Sequence, residues 1–167
     1  VLIPYYRNNQ VDEELVIKSL YVAAGIGQVI ATRAFIAGAA GGCQAEVGAA
    51  SSMAAGAMVY LRGGSAYQIA QAAAMALKNL LGLVCDPVAG LVEVPCVKRG
   101  VIGAVGAMAA ADMALAGIVS RIPADQVIDA MREVGEKMDV SLKETGEGGL
   151  AASTAGVRIR EALDTRQ

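Results

Sequence analysis

Apolar and polar positions alternate along this chain with helical period over most of its length. Asp12, Glu13 and Glu14 place acids at the positive end of a first helix, whose apolar face takes Leu15, Ile17, Leu20 and Val22 and runs toward Arg33. Gly25 and Gly27 weaken that helix or let a neighbour approach closely. The run GAAGG, residues 38–42, ends the segment, and a second helix follows over about residues 44–61, stopped by Gly63 and Gly64. Ser65 with Gln68 three positions on forms a capping box that opens a third helix, SAYQIAQAAAMALKNLL, ending at Gly82.

Between residues 82 and 100 the period is lost. GLVCDPVAGLVEVPCVKRG contains Pro87 and Pro95, which rule out one continuous helix. A long irregular connection between two helical segments is a common place for function. A fourth helix is expected over about residues 98–119. Pro123 opens a fifth, with Val127, Ile128, Met131, Val134 and Met138 on one stripe. KETGEGGLAASTAG, residues 143–156, is again glycine-rich and irregular, and the charged end VRIREALDTRQ reads as a frayed tail or a helix. No β alternation persists. Residues 1–167 therefore read as one all-α domain, a compact bundle of Ala/Gly-rich helices with irregular, glycine-rich, cysteine-bearing loops.

Composition sharpens this picture. Of the 167 residues, 55% are hydrophobic but only 4% aromatic, so small side chains dominate and helices can pack closely. The net charge of -2, with no basic tract, argues against nucleic acid as a partner. The two most apolar runs carry Asp112 and Arg33 and are rich in Ala and Gly, so they read as buried core helices rather than membrane spans. No signal-peptide pattern opens the chain, and a cytoplasmic location is expected. The absence of histidine excludes a histidine base, a histidine metal ligand and a Ser-His-Asp triad within the chain.

Candidate chemistry centres on the three cysteines. Cys43 lies in GGCQAEVG, where a glycine-rich turn enters a helix, a setting in which free N–H groups and the helix dipole favour a thiolate. Glu46, three residues on, shares nearly the same face. Cys85 precedes Asp86-Pro87 and Cys96 follows Pro95, so each thiol sits on a stiffened backbone. Three thiolates without histidine are compatible with tetrahedral zinc completed by a carboxylate or water, with a [4Fe-4S] cluster held at three irons, or with three unrelated buried or surface cysteines. Spacing does not choose among these. Glu46 and Asp86, next to the presumed ligands, and Lys98, two residues past Cys96, are the candidate catalytic groups.

The motifs GGCQAEVG, LKNLLGLVCDPVAGLVEVPCVKRG and KETGEGGLA resemble the signature of the iron-sulfur-dependent L-serine dehydratases, or L-serine ammonia-lyases, in the C-terminal part of their alpha chain. The resemblance covers residues 12–156. It implies a helical catalytic domain that deaminates L-serine to pyruvate and ammonia. It also implies that Cys43, Cys85 and Cys96 meet in space to hold three irons of a [4Fe-4S] cluster whose open iron acts as a Lewis acid. Phe35 and Ala37 depart from the family pattern, standing where hydroxyl side chains are usual. Two glycine-rich segments that the family places upstream are not in this sequence. The remaining alpha-chain region, a beta chain or fused regulatory domain, and an oligomeric assembly are accordingly expected as partners, with L-serine as substrate. A related cysteine desulfidase chemistry, losing sulfide in place of water, and a non-catalytic structural or interaction module are the alternatives.

Overall fold

The computed structural model describes residues 1–9 and 11–165. Among these the fold is all-α: α1 (Leu2–Asn9), α2 (Glu13–Arg33), α3 (Gly38–Gly41), α4 (Ala49–Leu61), α5 (Ala66–Lys78), α6 (Cys96–Leu115), α7 (Ala124–Lys137) and α8 (Thr154–Asp164). A wide π turn, Gln44–Gly48, leads directly into α4, and short 3-10 turns occupy Val88–Gly90 and Val140–Leu142. The charged end thus forms α8 as far as Asp164, with Ser153 as its cap; the last two positions of that segment lie outside the described residues. The start of the chain also forms a helix, α1, which the sequence pattern did not suggest.

Helix α4 is the centre of the bundle. Nine of its 13 residues are buried, and α2, α5 and α6 pack around it. Its contact faces are small, which is what lets three helices reach it. Where α2 crosses, a Cβ added at Gly56 would lie 2.3 Å from Ile26 Cδ1. Two serines on α4 satisfy their hydroxyls across these interfaces. Ser51 donates to the Gly103 carbonyl of α6 at 2.8 Å, and Ser52 donates to the Ala73 carbonyl of α5 at 3.0 Å. The capping box at Ser65 forms as expected, and Gln68 also reaches α6, donating to the Ala114 carbonyl at 3.1 Å.

Helix α2 is not the buried core helix that its composition suggests. Only Ser19, Ala23 and Ile30 are buried, while Ile17, Leu20, Tyr21 and Val29 are exposed. The reason is geometric: α2 packs along α4 with lesser contacts to α1 and α7, and its other side is uncovered. By length and composition it is long and apolar enough to cross a membrane, with 11% of its apolar window buried. Its last residue, Arg33, is tied to Asp129 of α7 at 2.7 Å. Helix α6 is similarly divided, with Ala107, Ala110, Ala111 and Ala114 buried against the bundle and Val101, Ile102 and Val105 exposed. Its Asp112 pairs with Arg62.

Two contacts set the position of the turn that carries Cys43. The Phe35 ring lies against Gly41 and Gly135, so that it seats α3 on α7; a Cβ at either glycine would come within 2.7 and 2.9 Å of the ring. Gln44 is fully buried and bonded at both ends of its amide. Nε2 donates to the Met131 carbonyl at 3.0 Å, and Oε1 accepts from the Gly82 N–H at 2.9 Å. Its backbone N–H donates to the Leu83 carbonyl at 2.9 Å. One side chain therefore links the Cys43 turn to α7 and to the segment that leads to Cys85.

Tight helix contacts and a doubly bonded amide each predict a measurable cost. Ala110→Leu inserts methylenes where no space exists and is expected to lower stability by about 1–3 kcal/mol. Ala109→Leu, on the exposed side of the same helix, should stay within about 0.5 kcal/mol. Urea denaturation of the two variants compares them, and equal midpoints would show that the α6 interface has slack. Gln44→Leu removes the partner of the Gly82 N–H and the tie to the Met131 carbonyl of α7, and is expected to cost about 1–3 kcal/mol in all. A wild-type urea midpoint would mean that this amide does not brace the turn.

Candidate metal centre

Cys43 is delivered by a sharp reversal. Gly42 caps α3 with φ 77, and a Cβ there would collide with the Leu83 carbonyl at 2.8 Å, so only glycine lets the two segments run this close. Cys43 is fully buried and enters the π turn, as the expected turn-to-helix setting required. Glu46 lies on that turn and is exposed, with Oε1 accepting from the Gly38 N–H at 3.0 Å.

Cys85 is held by its backbone. Its N–H donates to the Leu142 carbonyl at 2.8 Å, and its carbonyl accepts from the Glu144 N–H at 2.7 Å, forming an isolated parallel bridge with Lys143. The glycine-rich segment 143–150, irregular in the sequence, is thus an edge laid beside Cys85. Glu144 adopts φ 67 to make this contact, an uncommon conformation for a side-chain-bearing residue.

The ligand atoms of Cys43, Glu46 and Cys85 all lie within 4.8 Å of one another. Gly38 faces them, since a Cβ there would be 3.0 Å from Cys85 Sγ and 3.1 Å from the Glu46 carboxylate. The missing side chain leaves a cradle beside the donors. Burial pushes the Cys85 thiol well above its ordinary range, and the hydrogen bond with Cys43 and the charges of Cys43, Glu144 and Glu46 add to this. Two buried thiols, which are soft donors, beside an exposed carboxylate make a donor set that suits zinc or an iron-sulfur group.

Cys96 is the first residue of α6, so the helix starts earlier than the sequence pattern placed it. A proline just before a helix is a common opening, and Pro95 fills that role here. Cys96 is partly buried and stands outside the close group of three donors. Its thiol is raised by burial and then by Cys43, lowered by Arg99, and raised slightly by Glu46, so it shares their electrostatic environment.

Among the other residues singled out from sequence, Asp86 is buried with both oxygens bonded to protein. Oδ1 accepts from Arg99 Nη1 at 2.6 Å, and Oδ2 accepts from the Leu150 N–H at 2.7 Å. Lys98 is exposed, and its amine donates to the Glu93 carbonyl at 3.1 Å. Sequence reasoning missed Arg99 and Gln44. The signal for Arg99 was its spacing of three from Cys96, which puts both on one face of α6.

An apolar cleft of about 670 Å³ opens beside the donors, lined by α1, Leu20 of α2, the π turn, α4 and the start of α6. Among the described residues that line it, Glu46 has the one charged side chain, so this carboxylate belongs both to the donor group and to the cleft wall.

Comparison with known proteins bears on what such a centre serves. A family model described as serine dehydratase alpha chain matches residues 1–151. The probable L-serine dehydratase alpha chain of Bacillus subtilis is 60% identical over 150 residues, covering 90% of this chain and 50% of its own length. The corresponding protein of Latilactobacillus sakei is 59% identical, with 89% of this chain and 71% of its own length covered. The L-serine dehydratase alpha chain of Peptoniphilus asaccharolyticus is 50% identical, with 89% and 51% covered. The chain spans about half the length of the first and third of these relatives. With the match running through all three cysteine motifs, the chain belongs to the serine dehydratase alpha-chain family.

Proposed function

We propose that this chain supplies the metal-holding part of an L-serine ammonia-lyase, with Cys43, Cys85 and Cys96 as ligands of a [4Fe-4S] cluster. The observation that carries the reading is the convergence of Cys43, Glu46 and Cys85 within 4.8 Å beside the Gly38 cradle, in a chain of this family. A cluster anchored through three irons supplies, when bound, an open Lewis-acid corner for the hydroxyl and carboxylate of the substrate.

The residues of the chain have distinct tasks in this reading. Cys43 and Cys85 anchor the cluster from the two backbone segments that Gln44 holds together, and Cys96 anchors it from the first turn of α6. Glu46, with one oxygen fixed by the Gly38 N–H, faces the cleft and orients L-serine through its ammonium group. Asp86 braces the Cys85 segment. Loss of the α-proton and the hydroxyl as water leaves an aminoacrylate, which tautomerises and hydrolyses to pyruvate and ammonia. The relatives named as alpha chains extend well beyond the matched length, which supports a working enzyme that includes the remaining alpha-chain region, together with a beta chain or fused regulatory domain. Three free cysteines suit a reducing, cytoplasmic setting.

Ligand and substrate-contact roles separate in the complete enzyme, reconstituted anaerobically with iron and sulfide. Cys85→Ser is expected to abolish serine turnover and to lower iron content, because a serine hydroxyl is a poor iron ligand. Glu46→Gln is expected to keep its iron and to lose roughly 10- to 100-fold in turnover. A Cys85 variant with four irons and near-normal turnover would remove that residue from the ligand set. Colourless wild-type protein with stoichiometric zinc would overturn the cluster, and faster turnover of cysteine than of serine would move the chain to a desulfidase reading.

A further inference from the structure

Arg99 touches every segment from which the cysteines come. It lies three residues after Cys96 on the first turn of α6, so the two side chains leave the helix on one face. Its Nη1 donates to the Val84 carbonyl at 2.7 Å and to Asp86 Oδ1 at 2.6 Å, and these acceptors belong to the residues on either side of Cys85. Those two bonds use both hydrogens that Nη1 carries. Cys43 Sγ lies 4.0 Å from the same nitrogen. The sulfur therefore sits beside a fixed cation, not at the end of a hydrogen bond of its own.

The setting makes that charge effective. The Arg99 side chain is 18% exposed and that of Asp86 3%, so water screens the pair poorly. A guanidinium stays protonated at any working pH and, forked between two acceptors, cannot swing away. Its counter-ion is itself immobile, because the second oxygen of Asp86 is held by the Leu150 N–H.

We propose that Arg99 is a positioning residue of the three-cysteine site, holding the Cys85 and Cys96 segments together and placing a permanent positive charge beside Cys43 that offsets the negative charge of the ligand sulfurs once they carry metal. The proposal rests on the cluster reading above. Hydrogen bonds and charges close to ligand sulfurs set how readily a cluster takes up or loses an electron. Without the Arg99 charge the cluster becomes easier to oxidise, and its midpoint potential falls.

The test uses the complete enzyme, reconstituted anaerobically, as wild type, Arg99→Gln, Arg99→Lys and the double variant Asp86→Asn/Arg99→Gln. The double variant removes the carboxylate that Arg99→Gln would leave buried without its partner. Iron and sulfide content, circular dichroism, the midpoint potential and the rate at which the visible absorbance fades in air are measured for each. Arg99→Gln is expected to have a potential below wild type and to fade roughly 10-fold faster, Arg99→Lys to lie between them, and the double variant to stay below wild type. If Arg99→Gln and the double variant lose iron with native helical content while Arg99→Lys keeps it, the proposal is supported equally. A wild-type potential and lifetime in either Arg99→Gln or the double variant overturns it, as does equal iron loss in all three. Wild-type enzyme that takes up no iron and sulfide overturns the cluster reading itself, and this proposal with it.

Discussion

A primary amide buried in a helical protein must find partners for both of its ends, and Gln44 satisfies this by joining three parts of the chain at once. Its nitrogen bonds to the middle of α7, its oxygen to the turn after α5, and its own backbone to Leu83. Each bond alone contributes modestly, but breaking one leaves a buried group unsatisfied, which is the larger penalty. Because Cys43 is the preceding residue and Cys85 follows Leu83 closely, the same network fixes the separation of the two thiols. The donor group at the centre is in this sense a by-product of how one polar side chain is accommodated.

The bundle around it works by subtraction of side-chain volume. Small residues on α4 admit three neighbouring helices, and the same economy at Gly38 lets the backbone pack directly against Cys85 Sγ and the Glu46 carboxylate. Aromatic residues are scarce, and the single phenylalanine is spent at one contact, wedged between α3 and α7. The departure of Phe35 from the family's hydroxyl pattern is thereby given a packing role: its ring orients the short helix that supplies the Glu46 hydrogen-bond donor.

Sequence pattern alone was enough for α4, α5 and α7, where period, capping box and glycine stops agree with one another. It also drew attention to Cys43, Cys85 and Cys96 as one group with Glu46 and Asp86 beside it, of which the structure brings Cys43, Glu46 and Cys85 within 4.8 Å of one another and leaves Cys96 outside. What it could not convey was long-range pairing. The segment 143–150 has no local period because backbone N–H groups at Glu144 and Leu150 are spent on Cys85 and Asp86 rather than on a helical ladder. Arg99 carries no local mark in the sequence because its carboxylate partner lies across the connection at position 86. Helix α2 looked like core because apolar composition says nothing about how many neighbours surround a helix. The start of α6 lies two residues before the expected one because Pro95 breaks the preceding pattern and yet directly precedes the helix.

The parallel bridge at Lys143 has a consequence for how the centre comes into being on the ribosome. Cys43, Cys85 and Cys96 are all synthesised while the segment that borders Cys85 and bonds to Asp86 has not yet been translated. Until residue 150 emerges, the Cys85 segment lacks its neighbour and the Asp86 carboxylate lacks its second donor. The nascent chain therefore carries thiols in an unfinished recess, and the recess closes only when translation of its border is done.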